Sequence, residues 1–419
     1  MTATVVTNAT IVTVDSADRV IAKGTLVALD GAITFVGPSA DAPAVAPVAT
    51  VIDAAGAVVM PGFVNAHTHL AMTLFRGYAD DMDLDGFLAK LLPVEGRVLS
   101  DATVELGTRL AAVELLHSGT TTALDMYFFT DAARRAAMAT GLRLYNGPVF
   151  IEFPGPDGRP FPERMAWARN ELEQGARWVQ PHSTYLLDEA QLRSIGDLAD
   201  EFGAGINVHS SETSAEIAQV LVRHGRTPTE VLADSGLLGP RTICAHGVHL
   251  SGADIERIAQ SGASVAHCPA SNMKLSSGIA RIGELQRAGV NVALGTDGAA
   301  SANDLDLWMA MRLAAFVQHL PARAVVRMAT IDGARALGID HLVGSLEVGK
   351  RADVVMLDAD APSLTPLFDP LSSIAYAGSR AEVDTVVVDG RVVVRGGRMV
   401  DIDVPALLAE VRAFAVELS

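Results

Sequence analysis

Apolar positions repeat with a period of two near both ends of the chain. Residues 3–15 and 25–37 alternate apolar and polar positions and are rich in Val, Ile and Thr, which is typical of half-buried β-strands. Asp30-Gly31 interrupts the second stretch and predicts a hairpin turn. The same alternation returns at residues 352–358 and 383–394. We therefore predict one small β-domain, a β-sandwich, built from both ends of the chain.

The middle of the chain has a different pattern, in which short continuous apolar runs alternate with longer helix-like segments. Alternation of strands and helices implies parallel strands, and eight such units predict an α/β fold with a (β/α)8 barrel of the TIM type. The predicted barrel strands are residues 58–64, 120–126, 142–151, 177–180, 205–208, 242–245, 264–266 and 290–294. The predicted domains are the barrel at 58–349 and the small β-domain at 1–57 and 350–419, with a terminal helix.

Composition narrows the class of protein. The chain has 419 residues, of which 49% are hydrophobic, and a formal net charge of −17. An acidic surface disfavours nucleic acids and anionic membranes as partners. Cys244 and Cys268 are too few for a disulfide scaffold. No signal peptide and no transmembrane run stand out, so we expect a cytoplasmic protein.

Polar residues cluster where the predicted barrel strands end. In a barrel of parallel strands the site forms at the C-terminal ends of the strands. His67 and His69 follow the first strand and point to the same side, because side chains on a strand alternate faces. His182, His209, His246, His267 and Asp297 end or follow later strands. This regularity favours a shared metal site, since imidazole suits zinc, iron and similar cations.

Longer stretches around these residues resemble the amidohydrolase superfamily. They are PGFVNAHTHLAMTLFRGYADD, LHSGTTTALDM, PHSTYLLD, HSSETSAE, AHGVHL, SGASVAHCPASNMKL and AGVNVALGTDGAAS. The resemblance is closest to the aminohydrolase branch, which includes methylthioadenosine/S-adenosylhomocysteine deaminases and triazine hydrolases. It implies a hydrolase of C–N bonds other than peptide bonds that deaminates a small heterocyclic substrate. Relatives often form homo-oligomers, but no sequence feature sets a number of subunits.

The resemblance also implies one divalent metal ion, usually Zn²⁺, with Fe²⁺ or Mn²⁺ as alternatives. Its ligands would be His67, His69, His209 and Asp297. Three imidazoles and a carboxylate leave room for a water whose pKa the metal lowers towards about 7. Binuclear relatives carry a lysine at the end of the fourth strand, where this chain has Gln180. This difference favours one metal over two.

The predicted catalytic residues are Glu212, His246 and Asp297. Glu212 would take a proton from the water and give it to a ring nitrogen of the substrate. Asp297 would also accept a proton from the water, in addition to binding the metal. His246 would stabilise the charge that develops at the attacking oxygen.

The predicted substrate contacts are less regular. Glu95 resembles the carboxylate that binds ribose hydroxyls in nucleoside deaminases, and His182 resembles a residue that touches the purine or the sugar. Arg164 is matched loosely to an arginine at the far end of the substrate. Phe87 stands where relatives often carry a stacking Trp, and residues 145–164 differ from the common nucleoside deaminases.

These differences leave several substrates open. An adenosine-type nucleoside such as methylthioadenosine, S-adenosylhomocysteine or adenosine is the main prediction. The alternatives are a free purine, pterin or triazine, then a cyclic-amide hydrolase, and finally a non-catalytic relative. A zinc deaminase with cysteine ligands is excluded because the chain contains no Cys-x-x-Cys.

Overall fold

The computed structural model describes residues 2–44 and 49–418. Met1, residues 45–48 and Ser419, which the sequence assigns to the small β-domain, lie outside the described residues. The strands are β1 Ala3–Val12, β2 Val20–Leu29, β3 Ala32–Pro38, β4 Thr50–Asp53, β5 Val58–Pro61, β6 Phe63–His69, β7 Thr120–Asp125, β8 Arg143–Asn146, β9 Val149–Phe150, β10 Trp178–Pro181, β11 Gly205–Ser210, β12 Thr242–His246, β13 Ser264–His267, β14 Asn291–Leu294, β15 Asp297–Gly298, β16 Val354–Leu357, β17 Val383–Val388, β18 Arg391–Arg395 and β19 Arg398–Met399. The helices are α1 Leu84–Val98, α2 Asp101–His117, α3 Thr130–Thr140, α4 Phe161–Glu173, α5 Glu189–Phe202, α6 Ser214–His224, α7 Pro228–Asp234, α8 Gly252–Ser261, α9 Pro269–Lys274, α10 Ile282–Arg287, α11 Leu307–Gln318, α12 Ala322–Met328, α13 Ile331–Ala336, α14 Pro370–Ser372 and α15 Val404–Leu418.

Strands from both ends of the chain pair in one sheet. Its order is β19-β18-β17-β16-β5-β1-β2-β3, and β4 pairs with β1. The N- and C-terminal parts meet where β5 runs antiparallel to β16. The predicted hairpin turn at Asp30-Gly31 is present between β2 and β3, with φ of 46° and 80° at these two residues. Positive φ at both positions matches the right-handed twist of the paired strands.

Parallel strands form the middle of the chain, in two sheets. One has the order β14-β13-β12-β11-β10-β9 and the other has the order β15-β6-β7-β8. The prediction of one barrel strand at 58–64 is wrong in part: β5 pairs with β1 and β16 in the sheet of the chain ends, and only β6 joins the parallel sheets, because an apolar run does not reveal which sheet a strand enters. The predicted strand at 142–151 is divided into β8 and β9, and the last predicted strand continues after a short break as β15. The protein is therefore an α/β protein with parallel sheets, in which most strands alternate with helices as the sequence predicts.

The helices cover the strands with apolar faces, as α5 illustrates. Asp188 caps its first turn by accepting a hydrogen bond from the backbone N–H of Gln191, and Gly203 ends it in the left-handed conformation. Leu192 and Ile195 lie on its buried side. In the chain, β10 precedes α5 and β11 follows it, and the C-terminal ends of these two strands carry residues of the site.

The long helix α1 lies apart from the strands and ends beside the site. Asp83 caps it, and Phe87, Leu91, Val94 and Glu95 are its buried residues. Phe87, Leu91 and Val94 pack in a cluster that also contains Tyr127 and Leu275. Across the described residues, no helix is both long enough and apolar enough to cross a membrane.

Candidate active site

Four side chains that the sequence predicts as metal ligands lie together at the strand ends. His67 and His69 extend from β6, His209 from β11 and Asp297 from β15. One ligand atom from each of these buried residues lies within 4.8 Å of the others. The Nε2 atom of His69 is 3.1 Å from Nε2 of His209 and 3.0 Å from Oδ1 of Asp297.

Carbonyl oxygens orient all three imidazoles in the same way. Nδ1 of His67 lies 3.2 Å from the side-chain oxygen of Asn207. Nδ1 of His69 is 2.6 Å from the carbonyl of Met126, and Nδ1 of His209 is 2.8 Å from the carbonyl of His182. Each Nδ1–H therefore donates outward, and the Nε2 lone pairs face one another.

This arrangement fits a bound divalent metal. Among the described residues, buried Nε2 of His67 has no hydrogen-bond partner, although buried polar atoms normally have one. A metal ion would satisfy it together with Nε2 of His69 and His209. Three neutral imidazoles and one carboxylate form a donor set that zinc accepts readily.

Two serines hold the carboxylate of Asp297 in place. The hydroxyls of Ser271 and Ser301 both donate to Oδ2, each at 2.6 Å, which leaves Oδ1 facing the histidines. Burial raises the pKa of Asp297, but the neighbouring imidazoles of His67 and His69 outweigh burial and bring this pKa well below its usual range. Asp297 is therefore ionised, as a metal ligand must be.

The predicted acid/base residues lie beside this group. His246 Nδ1 is 2.8 Å from the side-chain oxygen of Asn272, so its Nε2 points inward, 3.8 Å from Oε2 of Glu212. The hydroxyl of Ser277 donates to Oε1 of Glu212 at 3.3 Å. Burial raises the pKa of Glu212, and the charge of Asp297 adds to this effect. The carboxyl group of Glu212 is thus suited to exchange a proton at moderate pH.

Glu216, which the sequence analysis missed, holds the backbone that carries Glu212. Its Oε1 accepts the N–H of Ser211 at 3.0 Å, and its Oε2 accepts the N–H of Glu212 at 2.6 Å. Ser211 has a φ of 55°, so this turn adopts a left-handed conformation that needs support. The motif HSSETSAE contains Glu216, but an acidic residue in the first turn of a helix looks like an ordinary partner of the helix dipole.

Gln180 and Asn207 were missed as well. The amide group of Asn207 donates to Oε1 of Gln180 at 3.0 Å, and Gln180 donates to the carbonyls of Asp125 and Gly147, both at 2.9 Å. These contacts fix the side-chain oxygen of Asn207 towards His67. The alternation of β11 gave the available signal, since Asn207 and His209 point to the same side of that strand.

A cavity opens beside the metal-ligand group. It is lined by His69, His182, His209, Glu212, His246 and Asp297 on the polar side, and by residues that include Phe87, Glu95 and Tyr127 on the other. The hydroxyl of Tyr127 donates a short hydrogen bond to Oε1 of Glu95. Burial is the largest influence on Glu95 and raises its pKa to about 7.

The structure brings three of the four predicted substrate residues to this cavity and leaves one outside. Phe87, Glu95 and His182 line it, whereas Arg164 is not among its lining residues. The side chain of Arg164 is fully buried and forms a bidentate ion pair with Asp157, at 2.6 and 3.0 Å. Both terminal nitrogens of Arg164 are thus engaged by Asp157, and the side chain lies outside the cavity.

The chain is similar to known deaminases over nearly its whole length. It is 39% identical to a 5-methylthioadenosine/S-adenosylhomocysteine deaminase of Syntrophobacter fumaroxidans, over 97% of this chain and 96% of that protein. It is also 39% identical to a 5'-deoxyadenosine deaminase of Methanosarcina mazei, over 99% and 98% of the two chains.

Solved structures agree with this similarity. An adenosine deaminase from Xanthomonas campestris with bound zinc superposes with a TM-score of 0.96 at 36% identity, covering 99% of this chain and 98% of that one. An atrazine chlorohydrolase of Arthrobacter aurescens TC1 shares the fold, with a TM-score of 0.90 at 23% identity over 98% and 100% of the chains. Residues 58–393 match the amidohydrolase family, and the chain belongs to that family.

Proposed function

We propose that this protein is a zinc-dependent hydrolytic deaminase that releases ammonia from an adenosine-type nucleoside. The observation that carries the proposal is the convergence of three Nε2 atoms and Asp297 beside Glu212 and His246. The relatives named as deaminases of methylthioadenosine and 5'-deoxyadenosine support the nucleoside class. The zinc in the related adenosine deaminase structure supports the choice of metal.

His67, His69, His209 and Asp297 would hold the metal. When bound, the ion supplies a Lewis acid that makes water a nucleophile near neutral pH. Asp297 contributes an ionised carboxylate, which Ser271 and Ser301 hold in a single orientation.

Glu212 moves the proton in this mechanism. Its carboxylate takes a proton from the attacking water and delivers it to the ring nitrogen next to the amine-bearing carbon. That carbon becomes tetrahedral, and the remaining hydroxyl proton passes by way of the carboxylate of Asp297 to the amino group, which leaves as ammonia. Burial favours the protonated form of Glu212 between these two transfers. Glu216 keeps the backbone of Glu212 fixed during both transfers.

His246 stabilises the oxygen that adds to the substrate. Its Nδ1–H donates to Asn272, so Nε2 faces the interior of the site. Burial lowers the pKa of His246, but the charges of Glu212 and Asp297 outweigh burial and raise it above its usual value. A protonated imidazole placed here donates a hydrogen bond to developing negative charge.

Glu95, His182 and Phe87 bind the substrate in this proposal. Tyr127 occupies Oε1 of Glu95, and Oε2 remains available to accept a hydrogen bond from a ribose hydroxyl. The ring of His182 lies 4.5 Å from that of His209, between centroids, and so borders the place where the purine would lie. Phe87 contributes an apolar wall to the cavity.

The parallel strands, in this proposal, close into a (β/α)8 barrel, beside a small β-domain formed by the two chain ends. The backbone N–H of Gly295 donates to the carbonyl of His267, and that of Thr296 donates to the carbonyl of His67. These two bonds link the ends of the two parallel sheets on one side. On the other side, β8 and β9 are separated by only two residues. Both observations support closure.

Ammonia release by the zinc-loaded protein tests the proposed function. The substrates are methylthioadenosine, adenosine, adenine, guanine, a pterin and an aminotriazine. We expect release from the nucleosides and none from the free bases, and no turnover by Glu212→Gln with its zinc content unchanged. Release from a free base, pterin or triazine alone would refute the nucleoside class. A Glu212→Gln variant with near-normal rates would refute the proton-transfer role of Glu212.

A further inference from the structure

One wall of the cavity is an apolar stripe along α1. Leu84, Phe87, Leu88, Leu91 and Leu92 all line the cavity. They lie one to three turns before Glu95 and share its face of the helix, because residues three and four apart are neighbours on a helix. If Glu95 binds the ribose, as the proposed function requires, the group attached to the sugar lies along this stripe.

The opposite wall is apolar as well. It is formed by β9 and the segment that follows it, through Val149, Ile151 and Phe153, together with Phe128 and Leu186. Within residues 2–44 and 49–418, the cavity lining contains no Lys or Arg. The charged groups that it does contain, apart from histidines, are carboxylates.

Arg164, whose guanidinium lies 5.6 Å from the ring centre of the lining residue Phe128, is already paired with a carboxylate. Besides its ion pair with Asp157, Arg164 donates to the carbonyls of Val149 and Arg159, both at 3.1 Å. The side chain of Asp157 is only 2% exposed. Turning Arg164 towards the cavity would therefore leave Asp157 as a buried carboxylate with one partner fewer, which is unfavourable.

A second arginine is occupied too. The guanidinium of Arg223 donates to Glu152 at 2.9 Å and to the carbonyl of Tyr185 at 3.0 Å. Arg164 and Arg223 are therefore each already paired with a carboxylate, and neither lines the cavity.

We propose, on the basis of the proposed function, that this cavity selects nucleosides with an uncharged, apolar 5′ substituent and discriminates against those with an amino-acid tail. A 5′-deoxy or 5′-alkylthio group would be buried against Leu88, Leu91 and Ile151. A carboxylate in the same place would lose its hydration and meet no cation.

The competing substrates are methylthioadenosine, 5′-deoxyadenosine, S-adenosylhomocysteine and the neutral long-chain control 5′-butylthioadenosine. The measurement is kcat/KM for each with the zinc-loaded protein. We expect methylthioadenosine to exceed S-adenosylhomocysteine by about 100-fold or more, which is the range expected when a polar group is left unpaired. Butylthioadenosine should have a clearly higher kcat/KM than S-adenosylhomocysteine, since its tail adds apolar groups only and brings no charge that must lose its hydration.

Phe153 offers a way to reverse the preference. It lines the cavity and is 43% exposed, so an arginine there can enter the mouth without being buried. Phe153→Arg should narrow the ratio of methylthioadenosine to S-adenosylhomocysteine by about 10-fold, whereas Phe153→Met should keep the wild-type ratio.

The results separate this inference from the proposed function. Equal turnover of methylthioadenosine and S-adenosylhomocysteine by the wild-type protein would overturn the inference and leave the deaminase intact. A kcat/KM for butylthioadenosine as low as that for S-adenosylhomocysteine would also overturn the inference, because the length of the 5′ substituent rather than its charge would then explain the discrimination. No ammonia from any nucleoside would refute the proposed function, and the inference with it.

Discussion

Replacing Glu216 by glutamine tests whether the two hydrogen bonds from Glu216 to the backbone of Ser211 and Glu212 are needed to position Glu212. The two side chains have nearly the same shape, but the amide has one acceptor oxygen where the carboxylate has two. It can therefore keep only one of the two hydrogen bonds from the N–H groups of Ser211 and Glu212. The other N–H would face the NH2 group of the new side chain, in a place where Glu216 is 3% exposed.

An unpaired buried donor costs about 1–3 kcal/mol. A shift of the backbone would relieve the unpaired N–H but would displace Glu212. If restoring the catalytic position costs the same free energy, turnover falls by about 5- to 150-fold, since 1.36 kcal/mol corresponds to a factor of ten. We expect kcat to carry most of the loss, with KM changed less than about threefold, because Glu216 does not line the cavity.

The assay is steady-state ammonia release with methylthioadenosine, together with zinc content and thermal unfolding. Glu230→Gln is the matched control. Glu230 also lies in the first turn of a helix, α7, and accepts a backbone N–H, that of Thr227. Like Glu216 it is not among the cavity residues, but unlike Glu216 it does not bind the backbone of Glu212. The control should keep kcat within about twofold. A Glu216→Gln protein with full zinc content and an unchanged kcat would refute the positioning role.

Three further predictions concern the metal and pH. Asn207→Leu should weaken zinc binding by about 10- to 100-fold, because Nδ1 of His67 loses its acceptor. Competition with a chelator measures the zinc affinity. An affinity equal to that of the wild type would contradict the role of Asn207 in orienting His67. Removing the metal should lower Tm, and restoring zinc should recover it, because an ion bound by the folded state alone stabilises that state. A Tm that changes neither on chelation nor on addition of zinc would contradict the metal site. The pKa of Glu95 is raised from 4.5 to about 7 in the folded protein, so stability is lost as pH rises through this window. The free energy of unfolding of metal-free Glu95→Gln, relative to that of the metal-free wild type, should therefore increase by about 3 kcal/mol between pH 4 and pH 8. Urea unfolding at both pH values measures this difference. A difference that is the same at both pH values would refute the raised pKa of Glu95.

The strand pattern and the metal-ligand group were predictable from the sequence, because both depend on local rules. Apolar runs identified most of the parallel strands, although 58–64 and 142–151 each proved to be two strands in different sheets. Polar residues at the C-terminal ends of the strands identified His67, His69, His209 and Asp297. Side chains at the ends of neighbouring parallel strands must meet, whatever the details of packing. The identity of the general acid/base depends on the family resemblance, since geometry alone places Glu212 near the site without assigning its role.

Other features depended on contacts that no local pattern encodes. Arg164 matched a substrate-binding position in the sequence, yet in the structure it forms an ion pair with Asp157, seven residues earlier. Asn207 and Glu216 act through hydrogen bonds whose partners are fixed only once the strands have assembled. Where one predicted strand becomes β8 and β9, Pro148 lies in the interruption and its ring has no N–H to give to a neighbouring strand.

The hydrogen bonds between Asn65 and Thr296 join segments 231 residues apart, next to the first and last metal ligands. Closing so long a loop is slow and entropically costly. A ribosome-bound chain that has not yet released Asp297 holds its histidines without the carboxylate that completes the set. In the proposed function, the complete ligand set can therefore form only after Asp297 has been synthesised. Without a metal, the junction between the first and last parallel strands would still be held by the pairing of β15 with β6 and by the hydrogen bonds of Asn65 and Thr68.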